Sequence, residues 1–185
     1  MPGIFRFREL ERVGLARGLR GMLGRGEVER IGRGLYRRGH EMTELDTVAT
    51  VSARVPGAIV CLLSALLIHR IGTQVPSEVW IAIDNKARKP RVETLPVRIV
   101  RFSRPMLLHG IEQREVQGVT VRITSPARTV VDCFRYRNKI GIDVALEALK
   151  DVLHHQRATV DAIMHAAEVG RASTVIKPYL EAMLA

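Results

Sequence analysis

Glycine punctuates the first 40 residues in a way that few folds accommodate. Gly14 separates two short apolar-periodic segments, and Gly26, Gly32 and Gly34 divide the following stretch into two short β-patterned runs. In the segment Phe7 to Val13, the residues Phe7, Leu10 and Val13 fall on one helical face. Leu15 to Leu23 repeats that spacing, with Leu15, Leu19, Met22 and Leu23 as the inward set. Arg17 and Arg20, three residues apart, share the opposite side. Gly18 and Gly21 weaken this second helix by about 1 kcal/mol each relative to alanine. Val28 and Ile31, then Leu35 with Tyr36, read as two strands closed by Gly32-Arg33-Gly34. Two helices running into a basic hairpin are the order of a winged helix-turn-helix.

The same stretch is loaded with arginine. Residues 1–40 hold ten Arg, no Lys and four Glu, a net of +6 out of the +10 carried by the chain. A basic excess focused on one small module is the footprint of a phosphate-binding surface. Arginine suits it, because its planar fork matches phosphate oxygens and guanine edges bidentately. Arg17 and Arg20 are the candidates for groove or phosphate contact. Arg25, Arg30, Arg33, Arg37 and Arg38 surround the hairpin, where a wing meets phosphates or the minor groove. The plainer reading of any of them is a solvated helix or hairpin face. Tyr36 reads as a wing-packing residue.

The remaining residues have enough apolar content for a core of their own, 46 % over the chain,. Its longest apolar run, Ala58 to Ile68, is interrupted by Ser64 and too short to span a bilayer,. The opening also lacks the apolar segment of a secretory leader, so the cytoplasm is the expected compartment. Cys61 and Cys133 lie in apolar-periodic stretches without a CxxC or Cys/His cluster, which favours packed free thiols over a disulfide or metal pair. Neither a cofactor nor a metal is expected.

Thr43 caps a helix through Arg54, with Leu45, Val48, Ala49 and Val51 as its apolar stripe. Pro56-Gly57 ends it, Ala58 to Cys61 forms a short buried strand, and Ser64 to Arg70 is helical. A strand-rich middle follows at Glu78 to Asp84, Leu95 to Phe102, Ile111 to Val116 and Val119 to Thr124, the last two joined by a Gln117-Gly118 turn. Ser125-Pro126 starts a helix with Val130, Val131, Cys133 and Phe134 facing the core. After a break at Asn138 to Gly141, helices run from Ile142 to His154 and from Thr159 to Glu168, and a fourth holds Pro178. The expected fold class is α+β: a small N-terminal winged helix-turn-helix, then a mixed α/β domain with an antiparallel-rich sheet and C-terminal helices.

A second basic cluster comprises Lys86, Arg88, Lys89, Arg91, Arg98, Arg101 and Arg104, against the single acid Glu93. Pro90 makes Lys86 to Val92 look like a solvated hairpin loop. The functional alternative is a patch for DNA flanks, RNA or an acidic protein surface. Arg128 and Asp132, four residues apart on a helix, read as an internal ion pair. His69 reads as a hydrogen-bonded structural residue. His154 and His155, adjacent on a helix, point to different faces and make a poor metal pair.

Several of these segments together resemble the AbiEi family of antitoxins from bacterial type IV toxin–antitoxin systems. The matching pieces are the wing Gly26 to Tyr36, the Ser64-Ala65-Leu66 block with His69, the run Pro126-Ala127-Arg128-Thr129-Val130-Val131-Asp132, and the helix containing Ala145 to Leu149, in the family's order. The resemblance implies a winged helix over residues 1–40 that binds the operon's own promoter as an autorepressor, its first helix truncated here because Met1 to Phe7 is too short to supply it. It also implies a C-terminal α+β antitoxin domain over residues 41–185, needed to neutralise a nucleotidyltransferase-like toxin. The implied partners are double-stranded promoter DNA with inverted repeats and that toxin, without a stable complex being required. The implied setting is abortive infection and phage defence, with no membrane and no catalysis. Two other readings compete: a metal-dependent nuclease or nucleotidyl-handling enzyme drawing on Asp84, Glu112, Glu115 and Asp132, and an interaction module that does not bind DNA. The first lacks a closely spaced set of carboxylates.

Overall fold

The computed structural model describes residues 3–39, 43–92 and 95–184. The junction expected at residues 40 and 41 and the acid Glu93 lie outside the described residues. Two sheets organise the rest. The smaller joins β1 (Ile4–Arg6), β2 (Val28–Gly32) and β3 (Leu35–Arg38), all antiparallel, in the order β1-β3-β2. Between β1 and β2 run α1 (Phe7–Arg12), a 3-10 turn at Ala16–Gly18 and α2 (Leu19–Gly24). This is the winged arrangement that the glycines imply, with Gly14, Gly26 and Gly34 all at positive φ where only glycine is unstrained,. The strand β1 is an addition to the elements expected from the sequence. Three residues carry too little alternation to register, and Ile4, Phe5 and Arg6 acquire strand geometry by pairing with β3.

The inward face assigned to the second helix needs correction. Leu19 is buried and Met22 half-buried, but Leu15 and Leu23 are exposed. The segment opens as a 3-10 turn, which rotates Leu15 off the later face, and the core beneath has room for little more than Phe5, Leu10, Leu19 and Val28,.

The larger sheet contains β4 (Ile59–Val60), β5 (Val79–Asp84), β6 (Val97–Phe102), β7 (Ile111–Val116) and β8 (Val119–Thr124), in the order β6-β5-β4-β8-β7. The β4–β5 and β7–β8 pairs are antiparallel, and β4–β8 and β5–β6 are parallel. Across both sheets, four of the six pairings are antiparallel. β7 and β8 close through Gln117 and Gly118, both at positive φ, as a two-residue hairpin requires,.

Parallel pairing of β5 with β6 removes the hairpin expected at Lys86 to Val92. The chain must return the length of a strand before β6 begins, so β5 and β6 are joined by a crossover and not a tight turn,.

Both faces of this sheet are covered, which explains the unbroken apolar run of β5. Trp80 and Ala82 face a core shared with α4 (Leu62–His69), α6 (Pro126–Arg135), α8 (Ile142–His154), α9 (Val160–Val169) and α10 (Ser173–Leu184). Val79, Ile81 and Ile83 face α3 (Glu44–Arg54) on the other side. Two short helices complete the chain, α5 (Arg104–Leu108) and α7 (Arg137–Ile140). The first is an addition to the expected elements, with Ser103 at its N-cap and Pro105 in its first turn,. The second fills part of the expected break, which falls at Gly141. Pro178 lies inside α10.

Local chemistry fixes the helix starts. Thr43 Oγ1 accepts from the Asp46 amide at 3.2 Å while the Asp46 carboxylate accepts from the Thr43 amide at 3.0 Å, a reciprocal capping box,. Leu45 on that helix is exposed, whereas Val48, Ala49 and Val51 are buried. Ser125 Oγ accepts from the Arg128 amide, and Pro126 occupies the first turn of α6.

The two sheets are not separate bodies. Ile4, Ile31 and Leu35 of the small sheet share one core with Val48 and Val51 of α3 and with Val116, Val121 and Ile123 of the large sheet. The winged sheet is therefore packed on both faces: Phe5, Tyr36 and Val28 against its own helices, Ile4 and Leu35 against α3 and the sheet beyond. No helix among the described residues is long and apolar enough to cross a membrane.

Candidate nucleic-acid interface

The module β1–α1–α2–β2–β3 is a thin layer over a four-residue core, and its outer surface is rich in arginine. Arg17 and Arg20 are exposed on the second helical segment, as its spacing requires. Arg33 stands exposed at the tip of the β2–β3 turn, flanked by Gly32 and by Gly34 at φ +66°. Arg30 is exposed too, and its Nε donates to the Gly32 carbonyl at 3.2 Å, which holds the side chain along the wing. Arg38, on the last strand, is exposed. Tyr36 packs as expected, its ring stacked on Phe5 with centroids 6.1 Å apart.

Two of the seven arginines are placed differently. Arg25 is exposed but paired with Glu27, Nε to Oε1 at 2.5 Å, and the guanidinium holds that carboxyl below its ordinary range. Arg37 is only 4 % exposed. It alternates with Tyr36 along β3, so it points to the α3 side, where its Nη2 pairs with Glu29 directly across the ladder. Its expected phosphate contact is corrected accordingly: residue alternation in the strand turns it away from solvent.

The second basic cluster divides in the same way. Arg101 Nη1 donates to the carbonyls of Asp84, Asn85 and Ala87 at 3.0, 2.7 and 3.0 Å, pinning the start of the crossover. Arg98 pairs with Glu78 at 2.7 Å and lies over the Trp80 ring. Lys86, Arg88, Lys89 and Arg91 project from the exposed crossover, and Arg104 is exposed at the start of α5.

The motif residues of the C-terminal domain are structural brackets. Ser64 Oγ accepts from the Trp80 amide at 2.9 Å, joining α4 to β5. His69 Nε2 donates to the Thr124 carbonyl at 2.7 Å, joining α4 to β8. Thr129 Oγ1 meets Thr124 Oγ1 at 2.7 Å. Arg128 is fully buried: Nε contacts both Asp132 oxygens at 3.1 Å, Nη1 donates to the Met106 and His109 carbonyls, and the guanidinium lies over the Phe102 ring. Burial raises the Asp132 carboxyl, and Arg128 and Arg135 pull it back. Cys61 and Cys133 are buried free thiols, pushed up by that burial.

The other carboxylates considered for catalysis stay apart. Asp84 accepts from the Lys86 amide, Glu112 pairs with Arg114, and Glu115 accepts from Thr120. Among the described residues, no group of three or more His, Cys, Asp or Glu could hold a metal ion.

Sequence reasoning missed two arginines that tie the module to its neighbour. Arg6 Nη2 donates to the Ala53 carbonyl at 3.3 Å, and Arg54 donates to the Ile31 carbonyl. Neither contact has a local signal, since the partners lie 47 and 23 residues apart.

Residues 2–39 match a family model described as "Transcriptional regulator, AbiEi antitoxin", and the resemblance to that family holds over this segment. Among solved structures, the chain is similar to the RV2827C protein from Mycobacterium tuberculosis, with a TM-score of 0.57 and 14% sequence identity over 90% of this chain and 67% of that one. At that identity the likeness is one of fold. No curated protein sequence matches the chain.

Proposed function

We propose that this chain is a DNA-binding antitoxin: an autorepressor that recognises its own promoter through the N-terminal winged module and opposes a nucleotidyltransferase-like toxin through the rest. One observation carries the reading. The segment matching AbiEi antitoxin regulators, residues 2–39, coincides with the β1–α1–α2–β2–β3 unit that exposes Arg17, Arg20 and Arg33. Arg17 and Arg20 contact the groove, while Arg30, Arg33 and Arg38 neutralise phosphates alongside it. Arg25 contributes less because Glu27 already holds it, and Arg37 supports the wing from beneath. The natural operator is a pair of inverted half-sites bound by two copies. The protein works without catalysis, a reading supported by the separation of Asp84, Glu112 and Asp132 into unrelated ion pairs and loop contacts. It acts in the cytoplasm, in defence against phage.

The test is a titration of DNA from just upstream of the protein's own gene. Binding is expected to weaken steeply with salt, as counterion release requires. Arg17→Ala with Arg20→Ala is expected to abolish the sequence-specific component; full specificity in that variant would overturn the assignment of this helix. Co-expression with the adjacent toxin gene tests the other half. The double variant is expected to keep rescuing growth, because the C-terminal domain is untouched.

A further inference from the structure

The wing grows from a β-bulge. Pairing of β2 with β3 passes from Arg30 opposite Tyr36 to Gly32 opposite Leu35, and Ile31 is left out of the register. Its side chain is buried, and its carbonyl turns out of the ladder toward α3. There Arg54, the last residue of α3, meets it: Nε donates at 2.5 Å and Nη2 donates to the same oxygen. Two N–H groups of one cation on one carbonyl form a charge-assisted clamp. The clamp has a firm base, because Val48, Ala49 and Val51 of α3 are buried against the large sheet. In return, Arg6 of β1 donates to the Ala53 carbonyl at the end of α3, where helix carbonyls lack partners of their own,.

We infer that Arg54 is a positioning residue for the wing: by holding the Ile31 carbonyl at the bulge, it fixes the direction in which Gly32-Arg33-Gly34 leaves the sheet and so where Arg33 meets the phosphate backbone. The inference rests on the proposed DNA-binding reading. It goes further in assigning part of the recognition geometry to α3, which lies outside the segment 2–39. Bulges commonly re-aim the residues that follow them. Here the bulge is held from a second element, so the pose of the wing depends on the C-terminal domain.

The experiment has two arms on the full chain. Hydrogen exchange without DNA, comparing wild type with Arg54→Met, is expected to show faster exchange at residues 31–36 and unchanged exchange in α6 and α8. Titration with the upstream DNA is expected to show a loss of about tenfold, the size of one charge-assisted hydrogen bond. The salt slope should become shallower by about one, as for a lost phosphate contact. Arg33→Ala should reproduce both changes, and the Arg33→Ala/Arg54→Met double variant should lose no more than Arg33→Ala alone. Arg54→Lys, which keeps the charge on a single donor atom, should fall between wild type and Arg54→Met, and it carries the comparison if Arg54→Met does not fold. Unchanged exchange at the wing, or additive losses in the double variant, would overturn the inference. Failure of the wild type to bind the DNA would overturn the proposed function instead, and the exchange arm would still report on the clamp.

Discussion

Arginine meets opposite fates in the two halves of this molecule. In the winged module, Arg17, Arg20, Arg33 and Arg38 stand on the surface. In the C-terminal domain, Arg128 is fully buried, bound to Asp132, two backbone carbonyls and the Phe102 ring. The side chain is the same, but what surrounds it decides its role. A module with a core of four buried residues has little interior in which to enclose charge, so most of its arginines lie at the surface. A layer of helices packed on a five-stranded sheet can enclose a guanidinium, provided that nearly every donor is met. Arg37 is intermediate: it belongs to the module by sequence but points into the shared interior.

The contrast is sharpest where it can be broken most severely. Arg128→Met leaves the buried Asp132 carboxylate with Arg135 alone, at 3.5 Å, and stability is expected to fall by about 3–5 kcal/mol, measured by urea unfolding. A loss below about 1 kcal/mol would mean that the network around α6 is not what holds it.

A smaller effect separates the halves by pH. Burial lowers the pKa of His69, and the bond to the Thr124 carbonyl only partly offsets this. The unfolded chain then takes up the proton more readily than the folded one. The contribution of His69 is fully present above the ordinary imidazole value of about 6.5 and is lost as pH falls from there toward the lowered folded value. His109, lowered chiefly by burial and next by His165, has the same sign. Stability is expected to decline below pH ~6.5, and His69→Gln should flatten part of that decline. An identical pH profile in the variant would sink this account.

The smallest effect is the most telling for the surface half. Arg17→Ala with Arg20→Ala should shift unfolding free energy by less than about 0.5 kcal/mol per substitution, as surface changes usually do. Thermal melts would check this beside the DNA titration. A large destabilisation would place these arginines with Arg128 as structural residues.

Much of this was legible from residues alone. Gly14 and Gly34 marked turns, and both occupy conformations that other residues resist,. Thr43, Ser125 and Thr159 marked helix starts, and each side chain accepts a backbone N–H there,. The pair Arg128 and Asp132 followed from helical spacing. The errors share a cause. Leu15 and Leu23 fit a helical stripe, yet the core beneath could not receive them. Lys86 to Val92 has the composition of a hairpin loop, but its flanking strands run parallel.

The sequence by itself determined the winged pattern, the basic surface over it, the helix caps and the Arg128–Asp132 pair. Each is written within a few residues, through steric preference, periodicity or charge spacing. Only the tertiary structure decided that β5 and β6 run parallel, that Arg37 turns inward, and that Arg54 of α3 grips the root of the wing. Those outcomes depend on which surfaces meet across tens of residues. The apolar area closed between the winged sheet, α3 and the large sheet settles that, and no local pattern records it,.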